Sequence, residues 1–355
     1  MDRGHVPPVP RVVHVAGAAT EDVIRFLGPT TYALAGAGRE QTVVMIDGAR
    51  PGALHETVEV LIAPRAGSPL SQWAALLRRC REAVLARPLH AVHLHGLLPG
   101  VIGAWAARSM DAPVPIYYSP YSTSHPLRSL ALLAIRSVLA TRRGAAIVTL
   151  PDDAKAFERW HATDLIELPV ADVFFDASRR EAAQPLIVGG GGAIGARGVD
   201  VFAQLAVLLG GEELHLSFVW IGPVSAPVRT PLDAAGVEVS DSASDAERAS
   251  RLSAAWIYLA VADAAGGDTI GLVEAMSAGL PCVAIDCPQH RALIRDGENG
   301  YLCASERDAI ERLALLIDDP ALRERLGTAA RQEARRRFGA SAFASKLLSA
   351  YALSA

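Results

Sequence analysis

The stretch GGDTIGLVEAMSAGLP, residues 266–281, opens on two glycines and an acid, runs into one apolar helical segment holding a single glutamate, Glu274, and stops at Ala-Gly-Leu-Pro. The apolar run WIYLAV (256–261) precedes it, so the order reads strand, glycine-bearing loop, helix. A helix start carries unpaired amide donors and roughly half a positive charge, and can therefore hold a phosphate. Asp268 or Thr269 can cap the helix, Gly266 and Gly267 let a ligand approach the backbone closely, and Thr269, Ile270 and Gly271 are the candidate binding positions at its start. Glu274 sits a little over one turn in, where a carboxylate on an accessible face reaches a ribose hydroxyl beyond the phosphates. Gly279 ends the helix and Pro281 prevents its continuation. An ordinary capped helix with a solvated Glu274 has the same features, and on physical grounds alone both readings stay open.

Outward from this segment, short apolar runs alternate with helical patterns, as expected of parallel sheets flanked by helices. Strands are expected at 11–16, 42–46, 57–62, 90–95, 114–119 and 145–150, then at 185–190, 216–222, 237–240, 256–261 and 281–286. Their nearly continuous β-branched character suits strands covered on both faces. The stretch 165–184 mixes proline, aromatics and charges without helical period and reads as a linker. With 355 residues the chain exceeds what one core usually organises. The expected division is 1–165, 166–335 and a C-terminal helix 336–355 packing back on the first domain.

The net charge of −4 gives no support to nucleic-acid binding. No apolar run approaches the roughly 18 to 20 residues that span a bilayer, and the N-terminus lacks the run and cleavage site of a signal peptide. A cytoplasmic location is expected. Cys80, Cys282, Cys287 and Cys303 form no CxxC pair and read as buried thiols.

Read as words, IGLVEAMSAGLPCVAIDCPQHRALIRDGENGYLC (270–303) resembles the signature of the family 4 retaining glycosyltransferases, roughly E-G-F-G-L-x-x-x-E-A-M-A-x-G-x-P followed by a strand and a D-G-x-x-G-x-L turn. HLHGLLPGVIGAWAAR (93–108), RGVDVF (197–202) and FVWIGP (218–223) resemble further family segments in register. The resemblance implies an α/β protein of the GT-B fold, two doubly wound Rossmann-like domains facing across a cleft. It implies a nucleoside diphosphate sugar as donor and a glycan or lipid-linked acceptor, with no metal and no other cofactor.

By that resemblance Arg197 matches the lysine of a basic pair that stabilises the leaving phosphate. The pair's arginine aligns with Gly192, where the glycines 189–192 offer backbone amides instead. The family's first glutamate aligns with Gly266. Asp268 can present a shorter carboxylate from the same loop, or serve as the helix cap alone. The family's cleft histidine aligns with Tyr121, which can bond a sugar or phosphate, and His125 lies four residues on. Gly17 ends the first strand where the N-terminal domain approaches the diphosphate. Of the two histidines of strand 90–95, His95 is expected toward the ligand and His93 in a structural role on the other side of the sheet. Arginines and leucines in 126–144, with a second basic stretch at 78–87, suit peripheral contact with the cytoplasmic face of the inner membrane. Two alternatives accompany the transferase reading: a catalytically impaired GT-B binding or scaffold protein, motivated by Gly266, Gly192 and Tyr121, and a sugar-nucleotide epimerase on the same fold.

Overall fold

In a computed structural model the described residues are 11–17, 20–46, 51–64, 67–86, 89–107, 114–121, 133–135, 137, 145–149, 162–190, 196–210, 216–241, 244–263 and 266–352. His125, Gly192 and most of 126–144 lie outside them. The chain forms two compact units, Met1–Pro169 with Ala340–Ala355, and Val170–Gly339.

Unit 1 runs β1 (Arg11–Ala16), α1 (Glu21–Gly36), β2 (Glu40–Ile46), β3 (Glu59–Ala63), α2 (Pro69–Leu85), β4 (Ala91–His95), α3 (Leu97–Ala107), β5 (Ile116–Ser119), β6 (Ala146–Val148) and β7 (Thr163–Leu165). The strands form one parallel sheet in the order β3-β2-β1-β4-β5-β6-β7. Every residue of β1 and β4 is buried, because helices cover both faces. From β1 the chain winds outward through β2 and β3, then returns to β4 on the opposite side of β1. The switch in winding direction therefore lies between β1 and β4.

Unit 2 comprises α4 (Asp172–Asp176), β8 (Leu186–Gly190), α5 (Ala196–Leu209), β9 (Ser217–Ile221), α6 (Ala226–Ala234), β10 (Glu238–Ser240), α7 (Asp245–Ala254) and β11 (Ile257–Ala260). A two-stranded ribbon of β12 (Ala262–Asp263) and β13 (Gly266–Gly267) follows, then α8 (Thr269–Ser277), β14 (Cys282–Ile285), α9 (Pro288–Arg291), β15 (Tyr301–Cys303), α10 (Glu306–Asp318) and α11 (Pro320–Phe338). Its parallel sheet has the order β10-β9-β8-β11-β14-β15, with the switch between β8 and β11. Ligands of open parallel sheets bind outside the strands' C-terminal ends at such a point. Ser244, Asp268, Ser305 and Asp319 each cap a helix by accepting an amide hydrogen bond, which fixes where those helices begin. The last helix, α12 (Ala340–Ala350), belongs to unit 1. Phe343 and Leu347, with Tyr351 just beyond, are buried in the cluster that holds Phe26 and Tyr117, and Lys346 bonds Glu167 at 3.1 Å.

Each of the eleven expected strands carries one. The stretch 165–184 differs from its reading as an aperiodic linker, since Asp172–Asp176 is helical and buries Phe174 and Phe175 in the unit 2 core. Five residues are too few to show a helical period. For the same reason the three-residue strands β7 and β15 carry no signal of their own.

Candidate functional site

The unit 2 switch point is built around Asp268. Its backbone amide closes onto Val261 at the end of β11, at 3.2 Å, and its Oδ1 accepts from the Gly271 amide at 2.9 Å, starting α8. Gly271 has no alternative: a Cβ there would lie 2.2 Å from the Tyr258 hydroxyl and 2.5 Å from Asp268 Oδ2. Tyr258 donates to the Gly190 carbonyl at 2.9 Å and also meets Asp268 Oδ2. Burial raises the Asp268 carboxyl from 3.8 to about 7, against the opposing hydrogen bonds from Tyr258 and Gly271. Gly190 itself has φ +142, and a Cβ there would lie 2.0 Å from the Ile221 carbonyl oxygen. Tyr258 thus ties the ends of the two central strands to the first turn of α8. Both oxygens of Asp268 are bonded within the protein, the arrangement of a cap.

Glu274 lies in the middle of α8 and is 8% exposed, which corrects the expectation of an accessible helix face. Arg248 of α7 grips it bidentately, Nε to Oε2 at 3.0 Å and Nη2 to Oε1 at 2.8 Å. Arg248 also bonds Asp245 at 2.7 Å and lies 5.7 Å from the centre of the Phe174 ring. The bond to Glu274 is the chief cause that raises the guanidinium's pKa. Each Glu274 oxygen keeps a second lone pair, so the pair retains acceptor capacity. Thr269 is half-buried and Ile270 is 42% exposed at the helix start. Arg197 is exposed in the first turn of α5, the helix that follows β8, and α5 packs against the β12 strand of the ribbon. The structure therefore collects Arg197, Asp268, Thr269, Ile270, Gly271 and Glu274 around the ends of β8 and β11.

At the switch point of unit 1, Gly17 is buried directly after β1. A Cβ on it would lie 2.8 Å from the Pro99 side chain of α3, so close helix packing accounts for this glycine. His93 and His95 are two positions apart and share one face of β4, with ring centroids 4.1 Å apart, which corrects their assignment to opposite sides. His14 of β1 joins them, its Nδ1 3.1 Å from His95 Nε2. Ser119 donates its proton to the Ile147 carbonyl at 2.9 Å, so its oxygen accepts from His93 Nε2 at 2.9 Å. That leaves His93 Nδ1 to accept from the Tyr351 hydroxyl. Tyr121, expected to bond sugar or phosphate, instead turns its hydroxyl onto His95 Nδ1 at 2.9 Å and stacks on that ring. Burial holds all three imidazoles neutral, His14 at about 3. One nitrogen from each ring lies within 4.8 Å of the other two, near enough to share a metal, yet five of the six ring nitrogens have hydrogen-bond partners and only His14 Nε2 lacks one. Apart from His14 Nε2 the cluster is a paired, neutral hydrogen-bond network.

Arg248, Tyr258 and His14 went unread in the sequence. Arg248 sits 26 residues from its carboxylate in a helix rich in charge, and nothing local separates it from a solvated arginine. A periodicity of two along HAVHLH does place His93 and His95 together, and that signal was available.

Residues 235–333 match the model of the glycosyl transferases group 1 family. A phosphatidyl-myo-inositol mannosyltransferase of Mycobacterium leprae is 40% identical over 111 residues, which are 30% of this chain and 29% of the relative. Among solved structures, a glycosyltransferase from Rickettsia africae superposes with a TM-score of 0.75 at 11% identity, over 97% of this chain and 98% of the other. Anabaena HepE, crystallised with UDP and glucose, does so with a TM-score of 0.68 at 14% identity, over 96% and 98%. Both units have the Rossmann-like parallel sheets of these proteins, and the matched segment contains Asp268, Gly271, Glu274 and Arg248. The chain has the GT-B fold, and residues 235–333 of its second unit are similar to the glycosyl transferases group 1 family.

Proposed function

We propose that the chain is a retaining glycosyltransferase that moves a sugar from a nucleoside diphosphate sugar to a growing glycan or lipid-linked acceptor at the cytoplasmic face of a membrane. The observation that carries this reading is that α5 and α8 start after the adjacent central strands β8 and β11, at the switch point of the sheet, and helix starts so placed suit a phosphate. In this reading the diphosphate lies against those helix starts. Arg197 meets the charge that grows on the leaving phosphate, a role for a permanent cation rather than a metal. Glu274, held by Arg248, accepts from ribose hydroxyls through its remaining lone pairs. The bond from the anomeric carbon to the diphosphate breaks with its electrons passing to the diphosphate. The acceptor oxygen bonds to that carbon on the same face and its hydroxyl proton is released. The name of the Mycobacterium leprae relative supports a mannosyl donor and a phosphatidylinositol acceptor as the first pair to try.

Thermal shift with UDP, GDP and ADP and their sugar derivatives tests the donor half. One nucleotide series is expected to raise Tm, since a ligand at 100 times its Kd adds about 2.7 kcal/mol of stability. Absence of any shift would sink the reading. A second reading, a binding or scaffold protein, is favoured by Gly266 and by an Asp268 whose two oxygens are already engaged. Tight donor binding with neither transfer nor hydrolysis would select it.

A further inference from the structure

The imidazole of His290, on α9, is fully buried, and the structure uses only one of its two nitrogens. Its Nδ1 lies 2.6 Å from the Ile285 carbonyl, which can only accept, so the neutral ring carries its proton there and Nε2 is a bare lone pair. Nε2 is buried and has no hydrogen-bond partner. The ribbon strand β13 closes over it: a Cβ on Gly267 would lie 2.2 Å from Nε2 and 2.7 Å from Cys287 Sγ, which leaves no room for a side chain. The backbone of Asp268, one residue on, favours the protonated ring, as the Ile285 carbonyl does. A backbone group that stabilises an added proton is a carbonyl. Two carbonyls thus flank a ring that holds one proton.

The Asp268 carbonyl shares its peptide with the N–H of Thr269, the first amide of α8. In a trans peptide the two point in opposite directions, so whatever holds this carbonyl aims the Thr269 amide out of the helix start. The titratable and charged groups around His290 are the Asp286 carboxylate at the end of β14, which Arg291 grips through two bonds of 2.6 Å, the Cys287 thiol, and the Asp268 carboxyl, which is engaged by Gly271 and Tyr258. Burial is the largest influence and lowers the pKa of His290 from 6.5, against the two backbone groups and Asp286. An anion at the start of α8 shifts that balance, because nearby negative charge favours the imidazolium. We propose that His290 is a positioning residue of the donor site that takes up one proton from solvent when the diphosphate binds, its new Nε2–H donating to the Asp268 carbonyl and holding the Thr269 amide toward the phosphate. This rests on the reading that a nucleoside diphosphate sugar binds at the start of α8.

Titration calorimetry with whichever of UDP-glucose, GDP-mannose and ADP-glucose raises Tm tests the proposal, since none of these diphosphates titrates near neutral pH. Comparing Pipes with Tris buffer at about pH 7 reads the protons taken up on binding. The parent is expected to take up a proton and to bind more tightly as the pH falls, by at most on the order of tenfold per pH unit. His290→Gln should lose the uptake, bind about fivefold more weakly than the parent at about pH 6, and match it at about pH 8.5. Asp268→Asn should keep the uptake, since its backbone carbonyl is unchanged. Uptake lost in Asp268→Asn and kept in His290→Gln would give the proton to the Asp268 carboxyl and overturn the proposal. Equal weakening of His290→Gln at both pH values would also overturn it, leaving the ring a packing residue. Where His290→Gln fails to fold, spectra of the parent with isotope-labelled histidine replace it: one ring is expected to gain a second N–H on saturation with the nucleotide, and no such change is the contrary result. Binding by the parent without proton uptake sinks this proposal alone, whereas no Tm shift with any of the three nucleotides sinks the donor reading and this proposal with it.

Discussion

At the switch point of unit 1 the polar groups are three imidazoles, two phenols and a serine; at that of unit 2 they are two carboxylates, a phenol and a guanidinium. Burial drives a titratable group toward its neutral form, whichever that is. For histidine that means losing a proton and for Asp268 it means keeping one. The two units share a topology yet respond to acid with opposite sign.

The largest expected effect is on unit 1. His14 moves from an ordinary 6.5 to about 3 in the fold, so the unfolded chain takes up a proton that the native chain refuses. Its contribution to stability is full above 6.5 and is lost as the pH falls; at about pH 5 the loss from His14 alone is on the order of 2 kcal/mol, and His93 and His95 act in the same direction. Hydrogen exchange resolved by unit, corrected for intrinsic rates, should show unit 1 opening more readily at about pH 5 than at about pH 7.5 while unit 2 does not follow. Parallel loss in both units would break the comparison.

Next in size is the Arg248–Glu274 pair. Glu274→Ala takes the bidentate partner from a guanidinium whose side chain is 23% exposed and leaves it only the exposed Asp245 carboxylate. The expected loss is about 2 to 3 kcal/mol by urea denaturation, below the range for a fully buried pair because Arg248 keeps some water. Arg248→Met combined with Glu274→Leu should recover most of it, since the cost lies in the unpaired charge. If Glu274→Ala unfolds at the parent's urea midpoint, the pair is a surface feature and the contrast between the units weakens.

Asp268→Asn gives a smaller, pH-dependent change. The parent carboxyl rises from 3.8 to about 7, so its contribution is fully present below the ordinary carboxylate range and is lost as the pH climbs through about 7. Asparagine keeps the cap oxygen for the Gly271 amide and an N–H for the Tyr258 oxygen at every pH. The variant should match the parent at about pH 3.5, below the ordinary carboxylate pKa, and exceed it by on the order of 1 kcal/mol or more near pH 8. The same protein separates the two readings of Asp268: full transfer activity leaves it a cap, and a fall in activity without a fall in stability assigns it to the sugar.

The fold was legible because strands covered on both faces leave continuous β-branched runs, and because RVVHVA and WIYLAV are such runs with glycine after them. The start of α8 was equally legible, since Asp268, Gly271 and Gly279 each answer a local backbone demand. What stayed hidden was long-range pairing. Glu274 reads as solvated until α7 is folded against α8, and Tyr121 reads as outward until β4 places His95 beneath it. Gly17 and Gly271 show how one residue type divides: each is a glycine because a Cβ would strike a neighbour, and only the fold names Pro99 in one case and Tyr258 in the other.

Arg197 should show the smallest change in stability and still decide the most about function. It is exposed in the first turn of α5, so Arg197→Ala should unfold within about 0.5 kcal/mol of the parent. A cation placed for a leaving phosphate acts where charge is greatest, in the transition state. Its removal should therefore lower kcat on the order of 100-fold, the scale of losing one oxyanion donor, and change nucleotide affinity little. Arg197→Lys should recover part of kcat, because a point charge replaces the guanidinium without its fork of donors. Calorimetry with the nucleotide that stabilises the parent, beside steady-state transfer rates, separates the outcomes. Weakened affinity at unchanged kcat would make Arg197 a ground-state binding residue, and the exposed Arg197 and the half-buried Arg248 of unit 2 would then both serve to hold the nucleotide, one directly and one through Glu274.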